Sequence, residues 1–105
     1  MSEQTVNEGS TAYLTVTLLD KDGAQAAPSA LSYQIDDVTT GTTVRSATAL
    51  AAAAQVEITL APTDNAIQTA TNKRERRRVT VQASYGAGDA LNAEYDYIVR
   101  NLSGV

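Results

Sequence analysis

The chain has 105 residues, a length that allows one domain with one hydrophobic core and leaves no room for a second. It contains neither cysteine nor histidine, which excludes a disulfide framework, a thiolate metal site and a histidine-based catalytic centre. Residues 73–78 hold five basic residues and one acid, so this stretch has a charge of +4 and the remainder of a chain with net charge −4 has −8.

The apolar composition predicts a thin core. Phenylalanine and tryptophan are both absent, and five tyrosines supply every aromatic ring. We therefore expect a stability near the low end of the range of about 5–15 kcal/mol that is typical of folded domains. Association with neighbouring molecules would add apolar burial that the isolated chain lacks. The uneven charge favours oriented docking between copies or onto a partner of opposite field.

The first half of the chain shows the two-residue alternation of β-strands. Residues 1–10 are expected to be an extended lead-in or edge strand that precedes a single domain over residues 11–105. Strands are predicted over residues 12–20, 31–38 and 43–48. The first of them ends at the turn over residues 20–23, where the pair Asp22-Gly23 favours the positive φ of a tight reversal.

The second half repeats the alternation with one interruption. The alanine-rich residues 49–54 are predicted to be a loop, with one loose helical turn as the alternative, because so short a segment without caps cannot hold a helix alone. Thr63 as N-cap and Asp64 in the first turn indicate a short helical turn over residues 62–67. A Gly-rich hairpin connection is predicted at residues 86–89. Strands are predicted over residues 55–60, 76–85 and 93–102.

About seven short strands, with turn signals about every 8–12 residues, predict an all-β fold of two packed antiparallel sheets. The apolar residues of each alternating segment should face the space between the sheets. Tyr13 is the one tyrosine placed on an outward strand face. The predicted core consists of Leu14, Val16, Leu18, Tyr33, Ile35, Val56, Ile58, Leu60, Val79, Val81, Tyr97 and Val99.

The basic run is the sharpest local feature of the sequence. Guanidinium groups match carboxylates and phosphates bidentately, which indicates contact with an acidic protein surface or with phosphates. Nucleic acid is the less favoured partner, because no aromatic residue interleaves the run and the rest of the chain would repel a phosphate backbone. A solvated strand start, with its arginines paired to the chain's own acids, is the alternative. The candidate partner-binding residues are Lys73, Arg74, Arg76, Arg77 and Arg78.

Two members of this run have a predicted orientation. Arg76 and Arg78 share the strand face opposite Val79 and Val81, so their side chains should point outward.

No other motif indicates catalysis, a metal or a cofactor. The segment 20–23 resembles the start of a calcium loop but lacks the third acid and the later glutamate, so it predicts a turn. The segment 86–88 lacks the third glycine of a dinucleotide fingerprint. Asp36 and Asp37 lie on opposite faces of one strand, where solvation or a nearby arginine is expected rather than paired catalysis. We expect no enzyme activity, no cofactor and no small-molecule substrate.

Membrane insertion and secretion are not expected. No apolar run approaches the roughly 20 residues of a membrane-spanning helix. The first ten residues are polar and acidic, unlike a signal peptide. The chain is therefore expected to be made in a cytoplasm and to remain soluble.

Four segments resemble a family of small tailed-bacteriophage proteins that are encoded among virion structural genes. The segments are Tyr33–Gly41, Val56–Ile67, Arg76–Val81 and Glu94–Leu102. Members of the family resemble immunoglobulin-like or fibronectin-like sandwiches. Many of them carry a tryptophan after the Thr-Gly turn, where this chain has the plain stretch 43–54.

The resemblance implies an immunoglobulin-like antiparallel β-sandwich of about seven strands that acts as a non-enzymatic virion structural protein. Such a protein would be made in the bacterial host cytoplasm and would decorate the capsid, or dock at the head–tail junction or tail surface, in many copies. Its expected partners are other virion proteins and copies of itself, with no membrane. The alternative is a host-surface recognition module of the particle that binds a glycan or a protein.

Overall fold

The computed structural model describes residues 4–19, 22–85 and 90–102, and these residues form seven β-strands. The strands are β1 (Gln4–Asn7), β2 (Ala12–Thr17), β3 (Ala30–Asp37), β4 (Thr42–Ala49), β5 (Gln55–Leu60), β6 (Arg74–Ser84) and β7 (Ala90–Arg100). The described ranges contain no helix, and therefore none that is long and apolar enough to cross a membrane. The predicted hairpin loop at residues 86–89, and Asp20 and Lys21, lie outside them.

The strands form two sheets, as the alternation predicts. One sheet has five strands in the order β1-β7-β6-β3-β4, and the other has two, β2 and β5. The order β7-β6-β3-β4 opposite a β2-β5 pair is that of the G, F, C, C′ and B, E strands of an immunoglobulin-like sandwich. The predicted fold class is therefore confirmed. One pair departs from a purely antiparallel arrangement, because β1 runs parallel to β7.

The core lies between the two sheets. In the larger sheet Ile35 is paired with Val79 and Tyr33 with Val81, so neighbouring strands present their apolar faces together. All of the predicted core residues are buried except Leu14 and Val56, which are half-buried. Both lie in the two-stranded sheet, where each strand has a neighbour on one side only. The structure adds four buried apolar strand residues, Val6, Ala12, Leu31 and Ala83.

The turns agree with the sequence at two glycines. Gly23 has a φ of 83° and Gly41 a φ of 75°, a region that strongly favours glycine. The N–H of Gly41 donates to the carbonyl of Asp37 over 2.8 Å and closes the β3–β4 turn.

The short helical turn predicted over residues 62–67 is not a helix. Instead the N–H of Asp64 donates to the carbonyl of Ala61 and that of Asn65 to the carbonyl of Pro62, which gives two overlapping turns. The Asp64 carboxylate accepts a hydrogen bond from the N–H of Ala61 over 2.9 Å and also binds Arg45. The chain therefore turns around the Asp64 side chain, and Thr63 does not cap a helix.

Candidate docking surface

The alternation of β6 divides the basic run between the inside and the outside of the sandwich. Glu75 and Arg77 point inward and are fully buried, on the same face as Val79 and Val81. The side chains of Arg76 and Arg78 are 39% and 37% exposed, respectively. The prediction that Arg76 and Arg78 point outward is confirmed.

Arg77 is at the centre of a buried polar cluster. Its Nη1 donates to Asp37 Oδ2 and to Glu75 Oε1, each over 3.0 Å. Its Nε donates to the carbonyl of Asp64, and its Nη2 to the carbonyl of Ala66. Arg77 therefore has no surface to offer a partner, which removes it from the candidate partner-binding residues. The side chain at this position is held by the chain's own acids.

Glu75 fixes the loop that precedes β6. Its carboxylate accepts hydrogen bonds from the N–H of Gln68 (2.7 Å), the N–H of Thr69 (2.9 Å) and the side-chain amide of Asn72 (3.0 Å). Burial by itself would raise the pKa of Glu75, but these donors and Arg77 outweigh it and lower the pKa to about 2. Glu75 is therefore a permanent anion at neutral pH, tied to the segment 68–72.

A second buried cluster adjoins the first. Arg45 from β4 donates to both carboxylate oxygens of Asp64, over 2.9 and 3.1 Å, and this hydrogen bonding raises the pKa of Arg45. The phenol of Tyr97 donates to Asn65 Oδ1 over 2.8 Å, while Asn65 Nδ2 donates to the carbonyl of Ser10 over 2.7 Å. Burial raises the pKa of Tyr97. No buried side-chain polar atom in the described ranges lacks a partner.

The outward arginines of β6 pair with acids of β7. Arg78 stands opposite Asp96 in the sheet register and donates to both of its carboxylate oxygens, over 3.0 and 3.2 Å. Arg76 reaches Asp96 at 3.5 Å, and Glu94 lies 3.9 Å from Arg78. The hydrogen bond from Arg78 lowers the pKa of Asp96. These two arginines are therefore largely neutralised within the chain.

The remaining cations meet in an open cleft at the start of β6 and the end of β7, which we call the basic cleft. Its volume is about 540 Å³. It is lined by Ala70, Thr71, Asn72, Lys73, Arg74, Arg100 and Asn101. Among the described residues, the only basic side chains without a carboxylate within ion-pair distance are Lys73, Arg74 and Arg100, and all three line this cleft.

Arg100 is absent from the residues predicted from the sequence, because it stands alone far from the basic run. The β6–β7 register brings it directly opposite Arg74. The nearby acid Glu8 forms no ion pair with Arg100, and its Oε1 instead accepts a hydrogen bond from the N–H of Leu102 over 2.6 Å. Arg100 thus completes a cluster of three cations with Lys73 and Arg74.

The walls of the basic cleft are held by hydrogen bonds. Asn101 Nδ2 donates to the carbonyls of Ala70 (3.0 Å) and Asn72 (2.8 Å). The N–H of Asn101 donates to the carbonyl of Lys73 over 2.8 Å, and the N–H of Asn72 to that of Thr69 over 2.9 Å. Together with the contacts of Glu75, these bonds fix the cleft before any ligand arrives.

The other candidate residues of the sequence lie outside the basic cleft. Asp36 and Asp37 do lie on opposite faces, and Asp36 accepts hydrogen bonds from Gln34 and Thr43 outside while Asp37 binds Arg77 inside. Tyr13 is 57% exposed on the outer face of β2, as expected. The part of the chain that the structure describes holds no group of three or more acids placed to bind a metal ion.

Comparison with known proteins gives no relative. No family model, no curated protein and no solved structure matches this chain. The comparisons therefore add no support to the family resemblance, and the basic cleft is the structural feature on which a function can be based.

Proposed function

We propose that this chain is a non-enzymatic structural component of a tailed-bacteriophage particle. It docks in many copies on the capsid, the head–tail junction or the tail surface, and its partners are other virion proteins and copies of itself. The resemblance of residues 31–102 to small phage proteins supports the assignment to a phage particle. A single observation carries the docking role: the described cations that lack a carboxylate partner all line one cleft.

The basic cleft, rather than the whole basic run, is the docking surface in this proposal. Arg77 is buried, and Arg76 and Arg78 already bind Asp96. Lys73, Arg74 and Arg100 line the cleft without a described carboxylate partner and can bind an external anion. An acidic surface on a shell or tube protein would supply the opposite charges and would gain hydrogen bonds from the guanidinium groups.

The groups in the cleft are suited to binding rather than to chemical transformation. They are ammonium and guanidinium cations, amides and a hydroxyl, and no carboxylate is among the described residues that line the cleft. Such a set attracts and orients a negative charge but contains no base matched to a nucleophile.

The proposal is tested by incorporation of variants into phage particles. The double variant R74E/R100E reverses two charges in the cleft, and we expect it to be depleted from purified particles. The matched control R76E/R78E changes the net charge equally on the outer face of β6 and should be incorporated at a level closer to that of the native chain. Unchanged incorporation of R74E/R100E, with its fold intact by circular dichroism, would contradict the docking role of the cleft.

A host-surface recognition module is the second candidate, and the exposed ring of Tyr13 is the observation that favours it. Aromatic rings of this kind can stack on a sugar face or fill a protein pocket. A glycan array would show a specific signal for the native chain that Tyr13→Ser removes. Absence of any such signal, with incorporation into particles retained, would favour the structural role.

A further inference from the structure

We infer that the basic cleft binds an acidic peptide segment, whose carboxylates are bound by Lys73, Arg74 and Arg100. This inference rests on the proposed docking function and names the chemistry of the ligand.

The arrangement of charges points to an anionic ligand. Arg74 and Arg100 are direct partners in the β6–β7 register, and like charges placed opposite each other in a sheet destabilise it. A carboxylate between them removes this repulsion and accepts hydrogen bonds from both guanidinium groups. Lys73, the residue before Arg74, adds a third positive charge for a second carboxylate. The ligand therefore needs more than one negative charge along a short length.

The neutral groups of the cleft fit a peptide backbone. Asn101 uses Nδ2 to bond Ala70 and Asn72, which leaves its Oδ1 as an acceptor for a peptide N–H. The Thr71 hydroxyl can donate or accept. The volume of about 540 Å³ is within the range of ligand-sized clefts, so a short segment of an acidic chain fits.

The cleft is already ordered, which favours binding. The buried Glu75 carboxylate accepts hydrogen bonds from Gln68, Thr69 and Asn72. The side chain of Asn101, which follows β7, donates a hydrogen bond to the same loop. Ordering a loop on binding costs free energy, and a loop that is already fixed avoids that cost. Because Glu75 acts through the loop and does not line the cleft, it is a positioning residue.

The same features disfavour nucleic acid as the ligand. The described residues that line the cleft include no aromatic side chain, so they offer unpaired bases no surface on which to stack. The chain has a net charge of −4 in spite of the three cations, so a long polyanion that extends beyond the cleft meets repulsion. A short acidic protein segment places its charges within the cleft alone.

Fluorescence anisotropy with a labelled hexaglutamate peptide tests the inference directly. We expect saturable binding that weakens as NaCl rises from about 50 mM to about 500 mM, because the contacts are solvent-accessible charge pairs. The variant R74Q/R100Q should weaken binding roughly tenfold, since each exposed ion pair contributes about two- to fivefold. The matched variant R76Q/R78Q, with the same change in net charge, should weaken it less than about twofold. Hexaglutamine should not bind.

Three results would overturn the inference: no binding of hexaglutamate to the native chain, equal binding of hexaglutamate to R74Q/R100Q and to the native chain, or tighter binding of hexathymidylate than of hexaglutamate. The particle experiment separates this from the docking role. If R74E/R100E is lost from particles while hexaglutamate does not bind, docking stands and the acidic-peptide ligand is rejected. If hexaglutamate binds through the cleft while R74E/R100E is incorporated normally, the ligand stands and the proposed docking function is rejected.

Discussion

Arg77 lies in the most basic stretch of the chain, yet its side chain has no exposed surface. A guanidinium cannot give up its proton inside a protein, so burial requires compensating charges and acceptors. Asp37 and Glu75 supply the charges, and the carbonyls of Asp64 and Ala66 accept hydrogen bonds from Nε and Nη2. The residue therefore joins β6, β3 and the segment that follows β5.

Replacing Arg77 leaves two buried carboxylates without their cation. We expect Arg77→Met to lower the free energy of unfolding by about 3–5 kcal/mol, the usual cost of breaking a buried ion pair from one side. Arg78→Met removes an equally long side chain from a pair that is partly exposed and should cost at most about 1 kcal/mol. Urea denaturation at neutral pH measures both, and similar losses in the two variants would contradict the structural role of Arg77.

At the scale of elements, the strands could be predicted well because alternation is a local signal. β5 spans residues 55–60 as expected, and β4 covers the weakly patterned residues 43–48. β6 begins at Arg74 rather than at residue 76, because a charged strand start carries no alternation of apolar residues. The turns around Asp64 could not be predicted, since they depend on Arg45 from a strand distant in sequence.

The burial of Glu75 and Arg77 in β6 could be predicted only in part from the alternation of the strand. Glu75 and Arg77 lie an even number of residues before Val79 and Val81, so their side chains are on the same, inward face of the strand. A run of charges is nevertheless expected at the surface, and only the partner Asp37 on β3, brought close by the sheet, makes burial tolerable. The alternation along β6 therefore indicated which face Glu75 and Arg77 occupy. The sequence did not show that Asp37 would lie close enough to Arg77 to stabilise its burial.

The loop before β6 provides a test of Glu75 as a positioning residue. Glu75→Gln replaces one acceptor oxygen by an N–H donor, so the amides of Gln68 and Thr69 cannot both keep their hydrogen bonds. We expect hydrogen exchange at one or both of these amides to accelerate at least about tenfold, because local opening becomes easier. The amide of Ser29, bonded to the carbonyl of Ser84 at the opposite end of β6, is the internal control. Unchanged exchange at residues 68 and 69 would show that Glu75 does not hold the loop.

At the scale of the whole molecule, the pairing of β6 with β7 decides which arginines have an acidic partner. It neutralises Arg78 with Asp96 and brings Arg74 and Arg100 together without an acid. The basic run already identifies Lys73 and Arg74 as candidate binding residues. Arg100 requires the hairpin register, which can be approximated by counting outward from the Gly-rich residues 86–89. The basic cleft therefore forms only when β6 and β7 pair, and the basic run alone indicates only two of its three cations.

The stability of the molecule should fall in acid because its buried network depends on an ionised Glu75. The pKa of Glu75 is lowered from 4.5 to about 2 in the folded chain, so the unfolded chain binds its proton first as the pH falls. The stabilisation is therefore complete above about pH 5 and is lost progressively as the pH falls toward 2. The lowered pKa of the partly exposed Asp96 acts in the same direction with a smaller effect.

The variant Glu75→Gln isolates this contribution, because an amide has no proton to gain in this range. The native chain should exceed the variant in free energy of unfolding by a few kcal/mol at pH 7, and the difference should shrink steadily as the pH falls from about 5 to about 2. Urea denaturation of both chains at a series of pH values measures it. A difference that stays constant across the series would mean that hydrogen-bond geometry, and not the charge of Glu75, stabilises the network. In that case acid would weaken the sandwich through its exposed carboxylates instead.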